Sequence, residues 1–152
     1  MRTVDVSTEL PAPAATVWRA ATTPAAFVHV ADGMLRFPAA ERAGDRWRLG
    51  DRLEGWTFLF GVVPFSRHRL EVVGLDPTAM TLESDEGGGI VRSWRHLIVV
   101  ESLGAGRCRY RDRIEIEAGM LTVVVAAFAH VFYRYRQRRW RSLAPVLAAV
   151  VD

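Results

Sequence analysis

Two charged residues of this chain stand alone on otherwise apolar faces. From Arg107 to Glu117 the residues alternate: Arg107, Arg109, Arg111, Arg113, Glu115 and Glu117 on one side, Cys108, Tyr110, Asp112, Ile114 and Ile116 on the other. Every outward position is charged, and only Asp112 interrupts the inward face. Further on, Leu121, Val125, Phe128, Phe132, Tyr135, Leu143, Val146 and Val150 recur at three- and four-residue steps, the spacing of one helix face, and Arg139 falls inside that series. Counted back from a turn near Gly119, Asp112 lies roughly 23 Å along its strand and Arg139 roughly 30 Å along its helix, depths that an arginine can bridge. An Asp112–Arg139 pair would either orient an acidic or carbonyl-bearing ligand in a cavity or tie helix to sheet as a buried salt bridge. The structural role carries more weight, because pairing is how a core tolerates either charge.

His68 and His96 fall on the inward faces of two other strands, near Trp94 and Tyr110. Histidine titrates near neutrality, so the two offer a general acid–base pair or a polar handle for a ligand. Against this stands the plainer reading of two core histidines satisfied by hydroxyls or backbone. With Asp112 they are the candidates for catalysis. No His/Cys/Asp spacing resembles a zinc set, and His29 and His130 look peripheral, so no metal is expected. Nucleophile elbows, phosphate loops and Cys–His pairs are absent. Gly87-Gly88-Gly89 reads as a turn, since no helix follows it to hold a phosphate.

The elements that position these residues read in order. Thr3–Leu10 alternates as a half-buried strand ended by Pro11 and Pro13, and short helices follow through Val17 and Trp18 and, after Thr23-Pro24, through Phe27 and Val28. Residues 33–52 carry a strand near Leu35–Phe37 and a turn at Gly50-Asp51, without a clear pattern otherwise. Strands then follow over Leu53–Phe60, from Phe65 with Ser66, His68, Leu70 and Val72 inward, around Met80 and Leu82, and through Trp94, His96, Ile98 and Val100. Tight turns between them imply antiparallel pairing, and one helix must cover one face of the sheet. Pro145 removes an amide from that helix and should kink or break it.

Composition fits one domain over residues 1–152. The net charge is +3, and all twenty cationic side chains are arginine, which excludes Schiff-base and Walker-type lysine chemistry. The lone Cys108 and an amino terminus without a signal-peptide core point to the cytoplasm. Arg134–Arg141, interleaved with Tyr133, Tyr135 and Trp140, could meet nucleic acid or an anionic membrane, but five arginines around a helix fit a solvated face better. The apolar run Met120–Phe132 is too short to span a bilayer, and its outer side offers a homodimer contact.

Particular segments resemble the SRPBCC superfamily, whose helix-grip fold is shared with START lipid-transfer domains and the birch-pollen allergen. Val4–Trp18 is similar to the family's first strand and helix. Ser93-Trp94-Arg95-His96, Tyr110-Arg111-Asp112-Arg113-Ile114 and Phe132-Tyr133-Arg134-Tyr135-Arg136-Gln137-Arg138-Arg139 resemble a bacterial ligand-binding subgroup. The resemblance implies an α+β fold in which about six or seven curved antiparallel strands grip a long C-terminal helix. It also implies a cavity for a small hydrophobic ligand (a lipid, isoprenoid or polyketide-like molecule), without a cofactor or nucleic-acid partner. Trp94, Tyr110, Phe128, Phe132 and Tyr135 would form its walls, and His68, His96, Asp112 and Arg139 its polar contacts. An alternative is a cyclase/aromatase-type enzyme, with a histidine or Asp112 as base and Arg139 or Tyr135 stabilising an enolate. The third reading is a membrane- or protein-contacting module using the arginine-rich helix.

Overall fold

Alternation of apolar and charged residues dictates the sheet. The structure, a computed structural model, describes residues 1–151, with side chains through Val150. Its strands are β1 (Arg2–Leu10), β2 (Leu35–Arg36), β3 (Arg52–Leu59), β4 (Val63–Asp76), β5 (Thr81–Gly88), β6 (Val91–Gly104) and β7 (Arg107–Glu117). They form one antiparallel sheet in the order β1-β7-β6-β5-β4-β3-β2. Helices α1 (Ala14–Ala21), α2 (Pro24–Ala31) and α3 (Pro38–Glu41) follow β1 or flank β2, and α4 (Thr122–Val151) closes the chain. This is the expected α+β helix-grip fold. The indistinct stretch 33–52 becomes the two-residue β2, the short α3, and a loop whose Trp47 packs edge-on against Phe27.

Irregular pairing bends the sheet. Register shifts interrupt β3/β4 at Thr57/Phe58, β4/β5 at Val72/Gly74, β5/β6 at Glu86/Gly88 and β6/β7 at Ser102/Gly104. Such bulges kink a strand and increase its twist, curling the sheet around α4. Its concave face carries two apolar clusters, one with Leu10, Val17, Trp18, Val72, Val100 and Trp140, the other with Val4, Trp94, Ile114, Ile116, Val125 and Phe132. The convex face is charged, with cross-strand pairs such as Arg109–Glu101 and Arg95–Glu83, both at 3.4 Å. Exposed pairs of this kind contribute at most about 1 kcal/mol each.

The long helix departs from expectation in rotation and in continuity. Its buried residues are Thr122, Val125, Ala129, Phe132, Tyr133, Arg136, Gln137, Trp140 and Ala144. Only Val125 and Phe132 belong to the predicted stripe, while Leu121, Val146 and Val150 are exposed. The inward face is therefore turned by one residue, roughly 100° about the axis. Ala129 and Ala144 are fully buried on this face, small residues that a pattern of large hydrophobes leaves out. Helix α4 also continues past Pro145 without a break. Along β1 it is fastened by Gln137 Nε2 to the Val6 carbonyl (2.8 Å), Arg134 Nη1 to the Ser7 carbonyl (3.5 Å) and Arg141 Nη1 to Thr8 Oγ1 (3.2 Å).

Candidate functional site: an aromatic cavity beside a polar belt

Inward alternation on four strands sets polar side chains in a row across the concave face. On β4 this places His68, on β5 Ser84 and Glu86, on β6 His96, and on β7 Asp112. His68 Nε2 donates to Glu86 Oε2 at 2.7 Å, and Ser84 Oγ to Glu86 Oε1 at 2.6 Å. Beside them, His96 Nε2 donates to Asp112 Oδ1 at 2.7 Å, Tyr110 Oη to the same oxygen at 3.3 Å, and Gln137 Nε2 to Asp112 Oδ2 at 3.1 Å. Ser84 and His96 are register partners, so the two hydrogen-bonded groups lie side by side.

The belt explains how the core tolerates its acids. Asp112 is wholly buried, with a donor from each of three elements. Burial acts to raise the Glu86 carboxyl, but the His68 hydrogen bond, the charges of His68 and His96, and the Ser84 hydroxyl outweigh it and hold the group below the usual carboxylate range. The Tyr110 hydroxyl is driven well above its ordinary value by burial and by the Asp112 carboxylate. Cys108 is pushed up to about 11 by burial, which leaves it an unreactive thiol.

The buried arginine is not the one that lies in the apolar stripe. Arg139 does not meet Asp112: its Nε and Nη2 donate to the His29 carbonyl on α2 at 3.3 and 3.0 Å. The shift of register brings in Arg136 instead, 2% exposed. Its guanidinium carbon lies 5.1 Å from the Tyr133 ring centre, 5.5 Å from Phe27 and 5.8 Å from Phe132. Each such contact is worth about 0.5–2 kcal/mol, against a desolvation cost of several kcal/mol. Burial works to lower the Arg136 pKa, yet the surrounding phenols and the carboxylates of Asp112 and Glu86 carry it above its ordinary value, so the group is a fixed cation.

Between the belt, strands β2 to β4 and α4 lies a cavity of about 270 Å³. Its walls are Phe27, Phe37, Phe65, Trp94, Phe128, Phe132 and Tyr133, with aliphatic Leu35, Leu59, Ile90, Val91, Val124 and Val125. Phe128 stacks on Phe65 and Phe132 at 6.4 and 5.9 Å, and Trp94 Nε1 donates to Tyr133 Oη at 3.1 Å. Polar atoms reach this space mainly from Thr57, Ser66, His68, Glu86 and Arg136. Beyond lies a smaller chamber of about 30 Å³, lined by Ser84, Glu86, His96, Tyr110, Arg136 and Trp140, with room for water. Phe27, Glu86 and Arg136 border both spaces.

Of the expected residues, Trp94, Phe128, Phe132 and His68 line the larger cavity, and His96 and Tyr110 the small chamber. Asp112 stands behind the chamber, bonded to two of its lining residues. Tyr135 turns away and donates to the Asp32 carbonyl. Glu86, Tyr133, Arg136 and Gln137 were missed. Glu86 was legible, since Leu82, Ser84 and Glu86 continue one alternation, but the glycines after it drew the reading into a turn. Among the described residues no group of three or more His, Cys, Asp or Glu could hold a metal, and no helix is long and apolar enough to cross a membrane.

Sheet, long helix and the cavity between them define a helix-grip fold. The family described as Domain of unknown function (DUF8410) matches residues 8–143, and the chain belongs to that family. No protein of curated function matches the sequence. Among solved structures, protein CV1439 from Chromobacterium violaceum is similar with a TM-score of 0.73 and 14% identity over 93% of this chain and 96% of that one. Norcoclaurine synthase from Thalictrum flavum, in complex with dopamine and hydroxybenzaldehyde, follows at 0.68 and 14%, over 93% and 85%. The Zhui aromatase/cyclase from Streptomyces sp. R1128 gives 0.65 and 13%, over 95% and 93%. At such identities the likeness is one of fold, and folds of this kind are shared by different chemistries.

Proposed function

We propose that this chain binds a small, largely hydrophobic ligand (a lipid, an isoprenoid or a polyketide-like molecule) in the cavity between sheet and α4, in the cytoplasm. The observation that carries the reading is the 270 Å³ space with its aromatic walls and few polar atoms, the usual composition of a small-molecule site. That a fold neighbour holds dopamine and hydroxybenzaldehyde, and others are named aromatase/cyclases, is consistent with it. Nile red, a neutral apolar fluorophore, should bind saturably with one molecule per chain. Phe128→Asp, which sets a charge on the cavity wall, should weaken binding about tenfold or more with the circular dichroism spectrum unchanged. Absence of saturable binding, with no hydrophobic molecule retained in native mass spectrometry, would sink the proposal.

The second reading is an enzyme of the cyclase/aromatase type, favoured by the His68–Glu86 pair on the cavity wall. In the neutral form of His68 the proton sits on Nε2 facing Glu86, which leaves Nδ1 to take a proton next to a ligand carbonyl while the electron pair moves onto the carbonyl oxygen. Solvent deuterium entering that position of a ketone ligand, and lost in His68→Gln, is the expected signature. Exchange at the uncatalysed rate leaves the carrier reading alone.

A further inference from the structure

The charges around the cavity do not balance one against one. Glu86 is engaged by His68 and Ser84, and Asp112 by His96, Tyr110 and Gln137. Arg136 forms no salt bridge among the described residues, and its Nε is buried without a hydrogen-bond partner. Aromatic faces surround the guanidinium, but they accept no in-plane hydrogen bond from it. The Glu86 and Asp112 carboxylates act on it through space but spend their hydrogen bonds on other groups, so this buried, permanently charged group has no anion bonded directly to it. Its position is where a ligand would supply one, because Arg136 borders the large cavity as well as the small chamber.

We propose that the ligand is an amphiphile with a carboxylate, and that this carboxylate is the counter-ion of Arg136. The inference rests on reading the cavity as a hydrophobic-ligand site. The apolar body of the ligand lies among Phe65, Trp94, Phe128 and Phe132, and its acidic end reaches the inner limit of the cavity at Arg136. One guanidinium matches one negative charge, and its fork donates a hydrogen bond to each carboxylate oxygen. A phosphate fits less well, since its second charge would face the Glu86 carboxylate. That carboxylate is already neutralised in part by His68, so a single incoming anion meets a tolerable field.

Decanoic acid and its methyl ester, titrated into the full chain at neutral pH by displacement of Nile red, test the proposal. The two share the apolar body and differ in charge. The acid should bind about tenfold or more tighter than the ester, the effect of a charge-assisted contact. Arg136→Met should bring the two within about twofold of each other by weakening the acid and sparing the ester. Equal affinities in the unsubstituted protein overturn the assignment, as does a preference for acid that survives in Arg136→Met. If that variant does not fold, the comparison in the unsubstituted protein decides alone. Failure of Nile red, acid and ester alike overturns the cavity reading itself, which separates that failure from one of acid selectivity.

Discussion

Asp112 accepts hydrogen bonds from His96 on β6, Tyr110 on its own strand and Gln137 on α4. Removing it strands all three donors, so Asp112→Ala should cost about 3–5 kcal/mol in denaturant unfolding. Arg139→Met removes only the contacts to one backbone carbonyl near the surface, and should cost about 1 kcal/mol or less. Comparable losses in the two would contradict the placement of Arg139. Glu86 adds a dependence on pH. Its carboxyl is held below the ordinary value in the folded chain, so the pair contributes stability above the ordinary carboxylate range and loses it as pH falls through the lowered value. Glu86→Gln should therefore flatten the acid limb of the stability–pH curve, and an unchanged limb would assign that limb to other groups. A lone acid on an apolar strand face was readable in the sequence. Its partner was not, because arginines occur at five of the eight helix positions from Arg134 to Arg141, and only the rotation of the helix selects among them.

At the level of elements, strands were more legible than helix faces. A period of two admits only two orientations, and the inward residues of β1, β6 and β7 are those that alternation predicts. A helix presents a continuous arc, and one that mixes Val125, Phe132, Tyr133 and Trp140 with alanine, arginine and glutamine gives a weaker apolar signal than the stripe of large hydrophobes beside it. The bulge at Glu86/Gly88 was hidden for a related reason, since three glycines in a row read as a turn although two of them close β5. Gly88 has φ +138°, and a Cβ there would lie 2.1 Å from the Arg67 carbonyl oxygen. Gly104, at φ +141°, has nothing within 4 Å. Gly104→Ala should thus cost only backbone strain, about 1–3 kcal/mol. Gly88→Ala adds a clash with the neighbouring strand and should lower the melting temperature clearly more. Equal shifts would mean that β4 yields at little cost.

Over the whole molecule, the order of elements was legible because alternation, proline stops and glycine turns are local, whereas the cavity was not. Its walls come from six segments distant in sequence, including the stretch 33–52 that carries no periodic pattern. The two lateral boundaries of the sheet have a further consequence. One outer strand, β1, lies under α4, whose Gln137 and Arg134 occupy its carbonyls. At the other side β2 is two residues long, and the part of β3 beyond it carries Arg52 and Glu54 beside α3. A second copy therefore meets one margin partly taken up by α4 and another that is short and charged, both poor templates for an added strand. Association of copies is thereby steered towards side-chain surfaces, such as the exposed Met120 just before α4 and Val123, Val124 and Val131 on its flank, and away from the strand-by-strand growth that leads to fibres.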